Sequence, residues 1–279
     1  FAERADSVKY GGHPWLRRAT PATLDRFDRE AARRLYDKLF GKVADFVFFF
    51  AGEMPAAEAR PLVEKYIGSL PAAPKRKFAK TDFRIVPGAA EYDAVVPGAV
   101  TPKSSIERIY HGRFDYTPEN YAALRYVTYI LGARYLTTVR EEKGGTYGVR
   151  VQGSTKYIPR ETYSMTISFD TNEEMADELV PIVFDEIEKI ATEGPEAKDI
   201  NDSREYLVKQ FKNTLENNGT WFGLIDDYNR HKQNLLADYE KTLNSITYDE
   251  IRDLAKKLLD SGNVIQVTMR PEAQPETDE

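Results

Sequence analysis

The chain has 279 residues, of which 41% are hydrophobic and 30% charged, and its formal net charge is −6. This composition is typical of a soluble globular protein that buries a core, either as one large domain or as two modest ones. The acidic balance argues against a nucleic-acid-binding surface, and no apolar run approaches the roughly 18 residues of a membrane span. The absence of cysteine excludes disulfides and thiolate metal ligands. A disulfide-free chain occurs in periplasm or cytoplasm, so the compartment stays open.

The first 75 residues carry the pattern of a domain that begins upstream. Apolar residues at helical spacing predict a helix at 22–40, and the apolar run at 46–51 predicts a strand. A second helix is predicted at 55–67. We therefore interpret residues 1–75 as the closing segment of an upstream α+β unit. Because the chain begins at Phe1, without Met or a signal peptide, we expect it to be an expressed or processed fragment of a longer protein.

Residues 76–104 change character. Pro87, Pro97 and Pro102 interrupt a segment with little periodicity, which is typical of a linker between structural units. A short strand near 83–86 is the one element that we expect within it.

Residues 105–272 predict a complete C-terminal α+β unit, followed by a tail at 273–279. The consecutive strands require a hairpin, so we expect a mixed or antiparallel sheet with helices packed on one face. The predicted strands are at 106–114, 147–152, 162–169 and 264–269, and the predicted helices are at 118–139, 173–191, a stretch that ends near 217, 220–236, and a last helix capped by Thr247.

One segment between a predicted helix and a predicted strand carries the most specific pattern. In LTTVREEKGGTYGVRV at residues 136–151, Arg140 stands seven residues before Tyr147, and Gly148 follows directly. This segment resembles the Arg…Tyr segment of the pitrilysin/insulinase-type zinc peptidases, the inverzincins. The resemblance covers most of the chain, because it extends to LYDKLFGKVADFVFFFAGEMPAAEARPLVEKYIGSLP at 35–71 and ITYDEIRDLAKKLLDSGNVIQVTMRPE at 246–272.

The resemblance implies a repeated-unit metallohydrolase-like architecture, in which two halves enclose a chamber. The zinc signature of that family, H-x-x-E-H, does not occur in the 279 residues. The resemblance therefore implies the C-terminal, non-metal-binding portion of a zinc metalloendopeptidase, inactive alone and without bound zinc. Its partners would be the upstream catalytic half, in the same or another chain, and peptide or unfolded polypeptide substrates. The alternatives are a structural core subunit, like those of respiratory complexes, and a metal-free partner subunit of the same fold.

Arg140, Tyr147 and Gly148 are the substrate-binding residues that the resemblance implies, and no catalytic residue is expected here. Substrate carbonyls and the oxyanion formed from them need donors, which a guanidinium and a phenol supply. Glycine leaves room for close backbone approach. A structural interpretation stays open for both side chains, since Arg140 can offset a helix dipole and Tyr147 can pack as a strand aromatic.

The three histidines do not form a metal-binding pattern. His13, His111 and His231 lie far apart in the sequence, and none has a partner at the spacing of a zinc motif. We expect surface or packing positions for all three.

Overall fold

The computed structural model describes residues 2–43, 45–75, 81, 83–97, 103–141, 146 and 148–272. The chain divides into two compact units. Unit 1 comprises Phe1–Arg17, Asp82–Lys212 and Asn234–Glu279, and unit 2 comprises Arg18–Thr81 and Asn213–Gln233.

The described strands of unit 1 form one five-stranded sheet in the order β1-β5-β2-β4-β3. Strand β1 runs parallel to β5, whereas the pairs β5–β2, β2–β4 and β4–β3 are antiparallel. The sheet is therefore mixed, and the predicted α+β class is confirmed. The strands are β1 (Ala90–Val96), β2 (Ser104–Arg113), β3 (Val149–Lys156), β4 (Thr162–Thr171) and β5 (Val264–Pro271).

The described helices include ten α-helices and two short segments of other types. The α-helices are α1 (Ala2–Tyr10), α2 (Pro21–Asp25), α3 (Arg29–Phe40), α4 (Ala56–Tyr66), α5 (Pro118–Tyr135), α6 (Glu173–Glu193), α7 (Ala197–Thr214), α8 (Asn218–His231), α9 (Tyr239–Ser245) and α10 (Tyr248–Asp260). A 3-10 turn at Pro14–Leu16 follows α1, and a π-helical segment at Leu136–Glu141 continues α5.

The main core of unit 1 lies between one sheet face and a layer of helices. Strand β4 alternates as predicted, with Met165 and Ile167 fully buried on the core face. Helices α5, α6 and α10 cover this face and supply Leu131, Ile187 and Leu258 to the same cluster. The burial of alternate strand residues against the helices is what fixes the register of the sheet.

Helix α10 begins where the sequence predicts a cap. The Thr247 hydroxyl accepts a hydrogen bond from the Glu250 backbone N–H at 3.3 Å, and Glu250 Oε2 accepts one from the Thr247 N–H at 2.7 Å. This reciprocal capping box satisfies two donors that the first helical turn would otherwise leave free.

Helix α1, which the sequence analysis does not predict, packs on the opposite sheet face. Its Ala5 contributes to a small cluster with Ile109, Ile265 and Val267. At its end, Lys9 forms an ion pair with Glu107. Helix α1 is not predicted from the sequence, because AERADSVKY has too few apolar residues to show a helical face.

Four predicted elements need correction, and the first is the short strand expected near 83–86, where the structure has no regular strand. Residues 46–51 form no regular strand, so that prediction is wrong, since a strand needs a hydrogen-bonded neighbour and no described segment pairs with this run. The predicted helix at 22–40 is two helices, because Asp28 accepts a hydrogen bond from Ala31 N at 2.9 Å and starts α3 anew. The predicted helix at 220–236 ends at His231, and α9 follows separately.

Strand β1 lies inside the segment predicted as a linker at 76–104. Its alternating pattern of half-buried and exposed residues is short, and its pairing with β5 joins positions far apart in sequence. The assignment of residues 1–75 and 105–272 to successive repeated units, with 273–279 as a tail, stays a prediction.

Unit 2 exposes its apolar side chains. None of its described residues is buried, although α3 and the following loop are rich in aromatic residues. The exposed side chains include Leu24, Phe27, Leu35, Phe50, Leu62 and Trp221. Large apolar side chains that are exposed in this number are a feature of surfaces that contact another polypeptide.

Candidate functional site

The segment that carries Arg140 continues helix α5 in an unusual form. Leu136–Glu141 is π-helical, and Val139, the residue before Arg140, is fully buried in the main core. Short π-helical segments within α-helices occur frequently at functional sites. The Arg140 side chain and all of Tyr147 lie outside the described residues, so their predicted proximity stays a prediction.

Gly148 directly precedes the edge strand β3. It is exposed, and its φ of 159° is a backbone conformation that residues with a side chain rarely adopt. Its N–H donates to the Thr146 hydroxyl at 3.3 Å. The predicted substrate-binding segment therefore leads straight into β3.

Strand β3 has an open edge. Within the described part of the chain it pairs only with β4, so one row of its N–H and C=O groups has no strand partner. An open edge of this type can take up an extended peptide through main-chain hydrogen bonds.

The sheet face opposite the helical layer is polar along β3 and β4. On β4, Thr162, Ser164, Thr166 and Ser168 alternate with the buried core residues. The facing residues of β3, by the register of the hairpin, are Arg150, Gln152, Ser154 and Lys156. This face and the open edge beside it, which Gly148 precedes in the chain, form the candidate peptide-binding surface.

The histidines occupy the kinds of position that the sequence suggests. His13 accepts a hydrogen bond from the Trp15 N–H at 3.3 Å, and His231 lies 3.9 Å from Asp227. His111 is 6% exposed, and burial lowers the pKa of its imidazole. The sequence pattern does not distinguish His111 from the other two histidines, because its burial follows from its place on β2.

The described residues do not fit a zinc site. A structural or catalytic zinc takes three or four ligands from His, Cys, Asp and Glu, and no described group of three such residues lies close enough to hold a metal. In the described residues, no helix has the length and apolarity to cross a membrane.

Residues 26–207 match the family described as the peptidase M16 inactive domain, and the chain belongs to this family. The predicted resemblance to the pitrilysin/insulinase-type peptidases, and to their C-terminal portion without the metal, is thereby confirmed.

Three of the similar proteins are named as proteases. A protein of Arabidopsis thaliana named zinc protease PQQL-like is 22% identical over 81% of this chain and 25% of its own length. The periplasmic protease PqqL from Escherichia coli has a TM-score of 0.79 at 16% identity, over 98% of this chain and 30% of its own. A mutant of the ferredoxin protease FusC, in complex with Arabidopsis ferredoxin, gives 0.76 at 21% identity over the same shares.

A chain of Complex III2 from Candida albicans is also similar, with a TM-score of 0.73 at 12% identity over 96% of this chain and 65% of that one. At these identities the solved structures show a shared fold. The chain spans about a quarter of the curated relative and 30% of the two proteases.

Proposed function

We propose that this chain is the non-catalytic, substrate-enclosing part of a zinc-dependent peptidase whose zinc site lies on the upstream catalytic half, in the same chain or a partner chain. The observation that carries the proposal is the exposed apolar surface of unit 2. A unit without a buried residue among those described needs another polypeptide to cover it. The upstream half is the partner that family membership favours.

Arg140, Tyr147 and Gly148 are proposed to contact the peptide substrate. The π-helical form of the Arg140 segment and its connection to the open edge of β3 support this role. An extended peptide along β3 would hydrogen-bond to the strand through its main chain. The guanidinium and phenol would then donate to substrate carbonyls, which gain negative charge during hydrolysis.

The zinc itself would be held by residues outside this chain. When bound there, it activates a water for attack on the peptide bond. The contribution of this chain is to bind and orient the peptide and to limit the access of water, so the chain alone is expected to be inactive.

A structural role in a larger assembly is the second candidate. The likeness to a chain of Complex III2 favours it, because the same fold occurs there in a multi-subunit complex. In this case the surface of unit 2 would bind another subunit, and the segment at 136–151 would have no peptide to contact.

A reconstitution experiment separates the two. The chain, the zinc-holding half and their mixture are each incubated with a quenched fluorescent unfolded polypeptide. We expect cleavage by the mixture that exceeds cleavage by the zinc-holding half, and none by the chain alone. Full activity of the zinc-holding half alone, or a partner without any zinc site, would favour the structural role.

A further inference from the structure

A cavity of about 230 Å³ opens in unit 1, on the sheet face opposite the helical layer. It lies where the last residues of β2 and β3 meet the first residues of β4. The strand register places two rows of side chains across the floor of the cavity. The first row is His111, Ser164 and Ser154, and the second row is Arg113, Thr162 and Lys156.

The lining of the cavity is cationic. Arg84, Arg113, Lys156 and Arg160 line it, and none of its described lining residues is Asp or Glu, whereas the chain as a whole carries a charge of −6. Arg113 and Lys156 form no ion pair with any described residue. They flank Thr162 on two neighbouring strands, so their Cα atoms are about 10 Å apart and both side chains can reach one anion between them.

The other wall of the cavity is apolar and aromatic. Tyr10 and Phe83 stack with ring centroids 4.9 Å apart, and Ile85 and Pro159 line the same space. Pockets that enclose drug-sized ligands measure roughly 300–1,000 Å³, so this smaller one suits a peptide end or a single side chain. The cationic floor can bind a carboxylate, and the aromatic wall beside it can pack against an apolar side chain.

One of the residues that line the cavity has a buried ring nitrogen. His111 lines the cavity, and its Nε2 has no hydrogen-bond partner among the described residues. Buried polar atoms without partners are uncommon in native structures. Because this nitrogen is itself buried, the contacts to a carboxylate in the cavity are assigned to Arg113 and Lys156, which are exposed.

We propose that this pocket binds a carboxylate of an extended peptide, either the C-terminal carboxylate or that of an Asp or Glu side chain, beside an apolar residue. The inference rests on the proposed function, since it names the chemistry of the peptide that the candidate surface holds. Strand β3 is eight residues long, so it spans about 26 Å from Gly148 to the pocket. A peptide that lies along the β3 edge with its carboxylate in the pocket would therefore extend from the pocket towards Gly148.

The test uses fluorescence anisotropy of the whole chain with a labelled eight-residue peptide that ends in Leu and a free carboxylate. The same peptide with an amidated C-terminus is the comparison, and a third peptide is amidated but carries Glu before the Leu. We expect amidation to weaken binding about ten-fold, as for a lost hydrogen bond to a charged group. Recovery by the third peptide identifies an acidic side chain as the source, and no recovery identifies the C-terminus.

Two variants locate the site. Arg113→Gln and Lys156→Gln should each weaken binding of the free-carboxylate peptide about ten-fold and leave binding of the amidated peptide unchanged. Lys256→Gln is the matched control, because Lys256 is exposed on α10, on the other side of the sheet. All three should keep the Tm of the parent chain, since they change exposed side chains.

Tight binding of free-carboxylate and amidated peptides alike, or full binding by both variants, would overturn this inference and leave the proposed peptide-binding role standing. If no peptide binds to the chain, with or without the zinc-holding half, the inference and the proposed function both fail.

Discussion

Arg134 and Asp199 join two helices of the core layer, because Arg134 Nη2 on α5 donates to Asp199 Oδ2 on α7 at 2.7 Å. The other guanidinium nitrogen, Nη1, lies 3.4 Å from Glu186 Oε2 on α6. Glu186 is only 4% exposed, and Lys189 is its second cationic neighbour, at 2.8 Å. Arg134 thus balances a buried carboxylate and connects three helices.

Removal of this arginine should therefore destabilise unit 1. In Arg134→Met the buried carboxylate of Glu186 loses one of its two cationic neighbours, and we expect a loss of about 3 kcal/mol in the free energy of unfolding. Chemical denaturation followed by circular dichroism measures it. Arg252→Met, at a surface ion pair on α10, should leave stability almost unchanged, because water screens that pair. Equal effects of the two substitutions would show that the Arg134 connection is unimportant.

Gly153 allows α5 to lie close to the edge strand. A Cβ at this position would lie 2.9 Å from Leu124 Cγ and 3.0 Å from Thr128 Cγ2. Gly153→Ala should therefore lower the free energy of unfolding by about 1–3 kcal/mol through overpacking. The control is Gly132→Ala, because a Cβ there meets open space within α5 and should stabilise the helix by about 0.5–1 kcal/mol. Stabilisation by both substitutions would contradict the close contact.

Asp170, at the end of β4, should titrate below its ordinary range. Burial raises the pKa of its carboxyl, but hydrogen bonds from Lys103 Nζ and Ser105 Oγ, both at 2.6 Å, outweigh burial and lower it below 3.8. Because the folded pKa is depressed, the stabilisation is fully present above the unfolded pKa of about 3.9 and is lost as the pH falls through the folded pKa.

The titration of Asp170 can be followed by NMR through its carboxyl carbon. Lys103→Met should shift the midpoint upward, whereas Lys256→Met should not move it. An unchanged midpoint in Lys103→Met would assign the low pKa to another cause.

Arg140 and Tyr147 should affect catalysis in the assembled peptidase. If they donate to the substrate in the transition state, Arg140→Ala and Tyr147→Phe should each lower kcat/KM by roughly 10- to 1,000-fold with little change in Tm. Arg252→Ala on α10 and Tyr206→Phe on α7, at surface positions of unit 1, are the matched controls. Normal cleavage together with a lower Tm would make both residues structural.

The shape of the guanidinium should matter as well as its charge. Arg140→Lys should recover only part of the activity that Arg140→Ala loses, because an ammonium cannot reproduce the planar fork of donors. Complete recovery would mean that a point charge is sufficient.

The isolated chain should bind no zinc stoichiometrically. It has no cysteine and only three histidines, and the described residues contain no group of three ligands. Metal analysis of the dialysed chain by mass spectrometry measures this directly. One tightly held zinc per chain would place a metal site in this chain and contradict the proposal that the upstream half holds the zinc.

The elements that local patterns encode were predictable. The alternation in β4, the apolar stripe of α6 and the Thr247 cap each follow from residues close in sequence, and each is present. The apolar run at 46–51 predicts a strand that does not form, because a strand depends on a neighbour that the run itself does not specify.

The candidate site was predictable only in part. The segment with Arg140 and Gly148 carries a recognisable spacing, whereas Arg113 and Lys156 come from strands more than forty residues apart in sequence. Only the register of β2, β4 and β3 brings them to one cavity. Likewise, β1 was not predicted, because it pairs with β5 and the paired residues Ala90 and Ile265 are 175 residues apart in the sequence.

The place of β5 in the sheet also has a consequence for biosynthesis. The last described strand is not at an edge but between β1 and β2, so the sheet remains divided until residue 271 has left the ribosome. Strands that are far apart in the sequence pair slowly, because the chain between them must lose conformational entropy before the stabilising contacts form. Nascent chains of unit 1 will therefore hold β1 and the β2–β4–β3 group apart during that interval, with Ile109 not yet covered by Ile265 and Val267, which exposes apolar surface to aggregation.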